Sequence, residues 1–166
     1  GNGCVVEGAG FFLNNEMDDF SAKPGIPNAF GLIGNEANSI APKKRPLSSM
    51  TPTIVLKDNK PFLVVGSPGG STIITTTMQT ILNVVDYEMD IKEAVCASRF
   101  HSQWLPDVIQ IEPRGLTKDV LANLKLRGHE IIYRGGYIGE SNGIMITDEG
   151  FFGGGDCRGE TSALGY

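Results

Sequence analysis

Three observations predict an α+β domain with helices layered on a largely antiparallel sheet. The stretch Arg45–Ser71 (RPLSSMTPTIVLKDNKPFLVVGSPGGS) holds two apolar, β-branched runs, 53–57 and 61–65, on either side of Asp58-Asn59-Lys60, which reads as a hairpin. Residues 74–85 then switch to helical spacing, with Ile74, Met78, Ile81, Leu82 and Val85 on one stripe. Beyond it, short strand-like runs at 108–111, 130–133 and 143–147 alternate with a second and a third helical pattern. No internal repeat and no dividing linker is visible, so a single domain over residues 1–166 is expected, long enough to bury its own core.

Along the chain, Val5-Val6 and Phe11-Phe12-Leu13 read as a bent strand or two strands broken by Gly8 and Gly10. Glu16-Met17-Asp18-Asp19-Phe20 follows. Three carboxylates in four residues repel one another unless they are solvated or paired, so this stretch is a solvated acidic turn or a site for a cation such as an ammonium group. Residues 21–46 are rich in proline, glycine and asparagine and lack periodicity. A loop of that length in a compact domain is a lid, a binding loop or a mobile segment. In the hairpin, Pro61 takes the first position of its strand, and Val64-Val65 reads as buried. Ser71 or Thr72 is placed to cap the first helix, whose β-branched run Thr75–Thr77 needs tertiary packing to hold it. Asp90 with Glu93 forms a capping box for a second helix that carries Ile91, Ala94 and Val95 on one face. Thr117 opens a third helix with Val120, Leu121 and Leu124, ended by Gly128. The tail from Gly153 is rich in glycine and polar residues.

Composition narrows the function. Fourteen basic against nineteen acidic side chains give a net charge of -5, which argues against a non-specific nucleic-acid binder, and Lys43-Lys44-Arg45 reads as a solvated loop. Cys4, Cys96 and Cys157 are odd in number and lack zinc-ligand spacing, so no metal site is expected and at most one disulfide could form. No apolar run approaches the length of a membrane span. The opening Gly1-Asn2-Gly3-Cys4, with no initiator Met, reads as a processed or truncated product.

Chemistry concentrates at the two ends of the hairpin. Gly66-Ser67-Pro68-Gly69-Gly70 lacks the Gly-Lys-Ser/Thr of a Walker loop and the spacing of a dinucleotide fingerprint. Consecutive N–H groups at a helix start can instead form an oxyanion hole, although a plain strand-to-helix connection fits the same residues. Ser48-Ser49 at the other end has no histidine in a recognisable motif to act as base, since His101 reads as a surface or packing residue and His129 follows a helix-ending glycine. Two hydroxyls can donate to a carboxylate, and Glu16 with Asp19 can hold an ammonium group. Together these would bind an α-amino acid beside an oxyanion turn, with no nucleophile of their own.

The segments NNEMDDFSAKPG (14–25), KRPLSSMTPTIVLKD (44–58), GSPGGSTIITT (66–76) and RFHSQWLPD (99–107) resemble, in order and spacing, the small subunit of bacterial γ-glutamyltranspeptidase, or glutathione hydrolase. The resemblance covers nearly the whole chain. It implies an N-terminal-nucleophile hydrolase αββα sandwich and a precursor that cleaves itself into a large and a small subunit. It also implies a threonine nucleophile that passes a γ-glutamyl group to water or to an amino acid or peptide acceptor, without a cofactor. By motif, Glu16 and Asp19 match the residues that hold the donor's α-amino group. Ser48 and Ser49 match the pair on its α-carboxylate, beside an arginine of the large subunit, and Gly69 and Gly70 match the backbone oxyanion hole. The loop 21–46 matches the lid, with Phe30 where many bacterial members carry a lid tyrosine. The matching nucleophilic threonine lies outside these residues, so this polypeptide taken alone is expected not to be catalytic. A smaller departure is Asp156-Cys157-Arg158, where the family often has proline between the charges; it touches only a tail turn. A periplasmic or secreted location follows from the resemblance. Two alternatives stand beside it: a non-catalytic γ-glutamyl or amino-acid binder, and an acylase with a different acyl group. An acyl group without an amine would have no need of Glu16 and Asp19.

Overall fold

The computed structural model describes residues 3–28 and 30–165. The chain forms two compact units, Gly1–Ser49 and Met50–Tyr166. The first has little regular structure. Val5 and Phe12 make one isolated antiparallel bridge instead of the expected strands, because Gly8 and Gly10 take positive φ and the carbonyl of Val6 accepts from both Ala9 and Gly10 in a tight turn. The acidic cluster Glu16–Asp19 is a single 3₁₀ turn. Asparagines organise the long loop: the side-chain oxygen of Asn28 accepts from the backbone of Phe30 and of Leu32, each at 2.9 Å.

The second unit is α+β, as expected. Its strands are β1 (Thr53–Lys57), β2 (Lys60–Gly66), β3 (Phe100–His101), β4 (Ile109–Ile111), β5 (Ile131–Tyr133), β6 (Asn142–Thr147) and β7 (Gly150–Gly154); its helices are α1 (Ile73–Val85), α2 (Ile91–Cys96) and α3 (Lys118–Leu126). The main sheet has the order β1-β2-β6-β7 and is antiparallel throughout, and a smaller sheet β3-β4-β5 contains the parallel pair β4–β5 that α3 connects. Asp58 and Asn59 both take positive φ, the conformation that matches a two-residue turn to the twist of its strands. The register Thr53↔Val65 brings the entry of β1 and the exit of β2 to one end of the sheet.

The core lies between this sheet and the helices: Leu63 and Val65 of β2 pack with Val84 of α1 and with Ile91, Ala94 and Val95 of α2. The Asp90–Glu93 capping box forms in both directions. Helix α2 sits directly on the sheet because Gly143 and Gly154, paired across β6 and β7, present no side chains there. A Cβ on Gly154 would lie 2.7 Å from the carbonyl oxygen of Ile91, which is backbone and cannot swing away. Gly154→Ala should therefore lower stability by about 1–3 kcal/mol, measurable by urea denaturation of the full-length protein.

Helix α1 spans the expected residues, but of its expected apolar stripe only Ile81 packs against the core. Ile74, Met78, Leu82 and Val85 point outward, whereas Thr76, Thr77, Gln79, Thr80 and Val84 are buried. Threonine can line a core because its methyl packs while its hydroxyl bonds back along the helix, as Thr80 does to the carbonyl of Thr76 at 3.0 Å. Neither Ser71 nor Thr72 caps the helix with its side chain; a 3₁₀ turn over Gly70–Thr72 leads into it. Val64 is exposed, not buried. It stands in an outward row Ile54–Val64–Ile144 across three strands, so the sheet's second face is apolar and uncovered within this unit.

Candidate functional site

In the first unit the acidic turn and the serine pair come together. The 3₁₀ turn over Glu16–Asp19 brings the Glu16 and Asp19 side chains together. Ser49 Oγ donates to Glu16 Oε2 at 2.8 Å and also bonds to Asp19. Partial burial, then the neighbouring Glu16 carboxylate, raises the Asp19 carboxyl above its ordinary 3.8, against the opposing hydrogen bond from Ser49. Two acceptors and a hydroxyl donor thus share one small surface. Ser48 is exposed beside it. Phe30 lies about half exposed in the loop, its N–H held by Asn28.

Asn38 is a residue that sequence reasoning missed. Its amide donates to the carbonyl of Asp19 at 2.7 Å, and its side-chain oxygen accepts from the backbone N–H of Leu47 at 3.0 Å. One side chain thus ties the acidic turn to the residue just before the serines. Nothing in the sequence distinguishes Asn38 from the other asparagines of the loop. The hollow of about 230 Å³ in this unit is lined by Asp18, Asp19, Phe20, Asn28, Leu32 and Asn38, among others, and not by Glu16, Ser48 or Ser49.

In the second unit, Gly69 and Gly70 turn β2 into α1 with φ of +144° and +58°, conformations open to glycine. The carbonyl of Gly69 accepts from Thr72 N at 3.1 Å and from Thr72 Oγ1 at 2.8 Å. Because a peptide's N–H and C=O point in opposite directions, this aims the Gly70 N–H away from the helix. Gly139 backs the turn: a Cβ on Gly69 would meet Gly139 Cα at 3.2 Å, and a Cβ on Gly139 would meet Thr76 Oγ1 at 2.5 Å. The Glu140 N–H donates to Ser67 Oγ at 3.0 Å.

The segment that carries Gly139 is fixed by four charges. Arg99 bonds Asp156 at 2.7 Å; Arg158 bonds Asp156 at 2.9 Å and also bonds Glu112; these side chains are no more than 5% exposed. From this cluster Arg99 Nη1 donates to the Ile138 carbonyl, Glu112 accepts from the Ile138 N–H, and Asp156 accepts from the Ser141 N–H at 2.6 Å. Burial pushes both carboxyls up, but the arginine hydrogen bonds outweigh it, so Asp156 lies below its ordinary 3.8 and Glu112, helped by two backbone N–H groups, below 4.5. Asp156-Cys157-Arg158 is therefore no mere tail turn. Its two charges belong to the scaffold behind the glycine turn.

His101 is buried, a packing residue. Its Nε2 lies in hydrogen-bond contact with Gln103 Oε1 at 2.7 Å and its Nδ1 with Thr75 Oγ1 at 2.8 Å, which occupies both nitrogens. His129 is exposed. Among the described residues no group of three or more His, Cys, Asp or Glu is arranged to hold a metal ion, and no helix is long and apolar enough to cross a membrane.

Known proteins match this chain along its length. The family model described as Gamma-glutamyltranspeptidase matches residues 1–166. The glutathione hydrolase proenzyme of Escherichia coli (strain K12) is 49% identical over 159 residues, which is 95% of this chain and 27% of that protein. The chain thus spans between a fifth and a third of the length of the first curated relatives it matches. The solved Helicobacter pylori γ-glutamyltranspeptidase T380A mutant is 56% identical, with a TM-score of 0.87 over 96% of this chain and 87% of that one. The Bacillus anthracis transpeptidase CapD, at 18% identity and a TM-score of 0.66 over 98% and 97%, shares the fold, which is that of the N-terminal-nucleophile hydrolases. On the family match and these identities, the chain belongs to the γ-glutamyltranspeptidase family.

Proposed function

We propose that this chain is the small-subunit part of an enzyme that transfers or hydrolyses the γ-glutamyl group of glutathione and other γ-glutamyl amides through a threonyl acyl-enzyme. The observation that most supports this reading is the contact of Ser49 with Glu16 and Asp19. A γ-glutamyl donor carries an ammonium and a carboxylate on one carbon. Its receptor needs carboxylate acceptors and a hydroxyl donor within a few ångströms of each other, and the 2.8 Å bond between Ser49 and Glu16 sets that spacing. Glu16 and Asp19 accept from the ammonium. Ser48 and Ser49 donate to the carboxylate, joined by an arginine of the large subunit. The Gly69 and Gly70 N–H groups stabilise the charge that develops on the γ-carbonyl oxygen.

The nucleophile is a threonine hydroxyl from sequence outside these 166 residues. Its oxygen attacks the γ-carbonyl carbon, the C–N bond breaks, and the amine leaves with a proton. Water or the amine of an amino acid or peptide then attacks the ester and frees the threonine. This acyl transfer calls for no cofactor. The loop 21–46, with Phe30, acts as a lid. The large subunit from the same precursor covers the Ile54–Val64–Ile144 face, as the second sheet of a sandwich would, and the protein works in the periplasm or outside the cell.

The test is the full-length, processed protein with γ-glutamyl-p-nitroanilide. Release of p-nitroaniline is expected, and Ser49→Ala should raise KM about tenfold, since a charged substrate group loses a hydrogen bond. No release by a correctly assembled protein would sink the proposal.

A further inference from the structure

The three cysteines are free thiols in this structure. Two of them, 61 residues apart in sequence, are brought side by side: Cys157 Sγ lies 3.9 Å from the carbonyl oxygen of Cys96, the last residue of α2. The residues around both are tied to each other. Arg158, next to Cys157, donates to the carbonyls of Val95 at 3.0 Å and Ala97 at 2.8 Å, which flank Cys96. Asp156, on the other side, is paired with Arg99 at 2.7 Å, and Lys92 Nζ donates to the carbonyl of Gly155 at 2.7 Å. Four crossings within a few residues hold the two cysteine-bearing segments side by side, so closing a bond between them orders little new chain. A hydrogen bond with the Cys96 side chain is the first cause that raises the Cys157 pKa above its ordinary 9.0, with slight burial second. Cys157 is exposed and Cys96 half-buried, so a small reagent can reach the pair.

We propose that Cys96 and Cys157 form a redox-active thiol pair that a low-molecular-weight disulfide oxidises to an internal disulfide. The Cys157 thiolate attacks one sulfur of the reagent, expels one thiol and leaves a mixed disulfide. The Cys96 thiolate then attacks the Cys157 sulfur and expels the second thiol. The protein loses two protons and two electrons, and the reagent gains them as two thiols. The bond staples the end of α2 to the segment that carries Asp156 and Arg158. It closes a long loop, the situation in which a cross-link restricts the unfolded chain most.

The experiment equilibrates the full-length, processed protein with 2-hydroxyethyl disulfide, which carries no γ-glutamyl group and so keeps the outcome independent of the proposed enzymatic activity. Remaining thiols are then alkylated, and the protein is digested without reductant for mass spectrometry. A peptide pair linked through Cys96 and Cys157 is expected, absent in Cys157→Ser and released by reductant. The oxidised protein should also melt roughly 5 °C above the reduced form. Alkylation of both thiols after oxidation, separate mixed disulfides with no internal link, or linkage to Cys4 instead would overturn the proposal.

Discussion

Asp156→Ala should destabilise the unit Met50–Tyr166 by about 3–5 kcal/mol, the largest stability loss expected of any single substitution here. Asp156 accepts from Arg99, Arg158 and the Ser141 N–H at once, and its side chain is fully buried. Its removal leaves two guanidinium groups with only Glu112 between them. Urea unfolding of the full-length protein measures the loss, and a change within 1 kcal/mol would contradict the assignment. The cluster also sets a response to acid. Asp156 and Glu112 both have folded pKa values below the ordinary 3.8 and 4.5, so protonation favours the unfolded chain. Their contribution is fully present above those ordinary values and drains away as pH falls through the lower folded ones. Wild-type stability should therefore fall below about pH 4 more steeply than that of Asp156→Asn, which has one such group fewer.

Gly69→Ala should lower kcat for γ-glutamyl-p-nitroanilide about 100- to 1000-fold, with a much smaller change in KM. At φ of +144° an alanine is strained, and its methyl would meet Thr72 Oγ1 at 2.5 Å and the Gly139 backbone at 3.2 Å. The turn must rotate, which misdirects the N–H groups proposed to hold the oxyanion while leaving the Glu16–Ser49 surface intact. A variant that folds and keeps wild-type kcat would remove the oxyanion role from Gly69. Equal losses in kcat and 1/KM would point to a general disruption.

Much of this architecture is legible without coordinates, where the determining interactions are local. Asp90–Glu93 states a helix start within four residues, Asp58-Asn59 states a hairpin turn, and both form as read. The carboxylates of 16–19 and the serines of 48–49 are conspicuous because so many polar groups in so little chain need a reason. Features that depend on distant partners are not legible. Most of the apolar stripe of α1 points away from its own unit's core, since periodicity reports that a face is apolar and not what covers it. Asp156 and Arg158 look like solvated tail charges until Arg99 and Glu112, more than forty residues earlier, close around them. Asn38 becomes a brace only when Asp19 and Leu47 arrive at its two ends.

The central claim is that Glu16 and Asp19 read the α-amino group of a γ-glutamyl donor. Its most direct measurement is kcat/KM of the full-length, processed protein for γ-glutamyl-p-nitroanilide against glutaryl-p-nitroanilide, which lacks only the amine, in wild type and in Glu16→Gln. The wild type should strongly prefer the γ-glutamyl compound, and Glu16→Gln should shrink that preference about 10- to 100-fold by weakening the amine-bearing substrate alone. An unchanged ratio in Glu16→Gln would contradict the assignment.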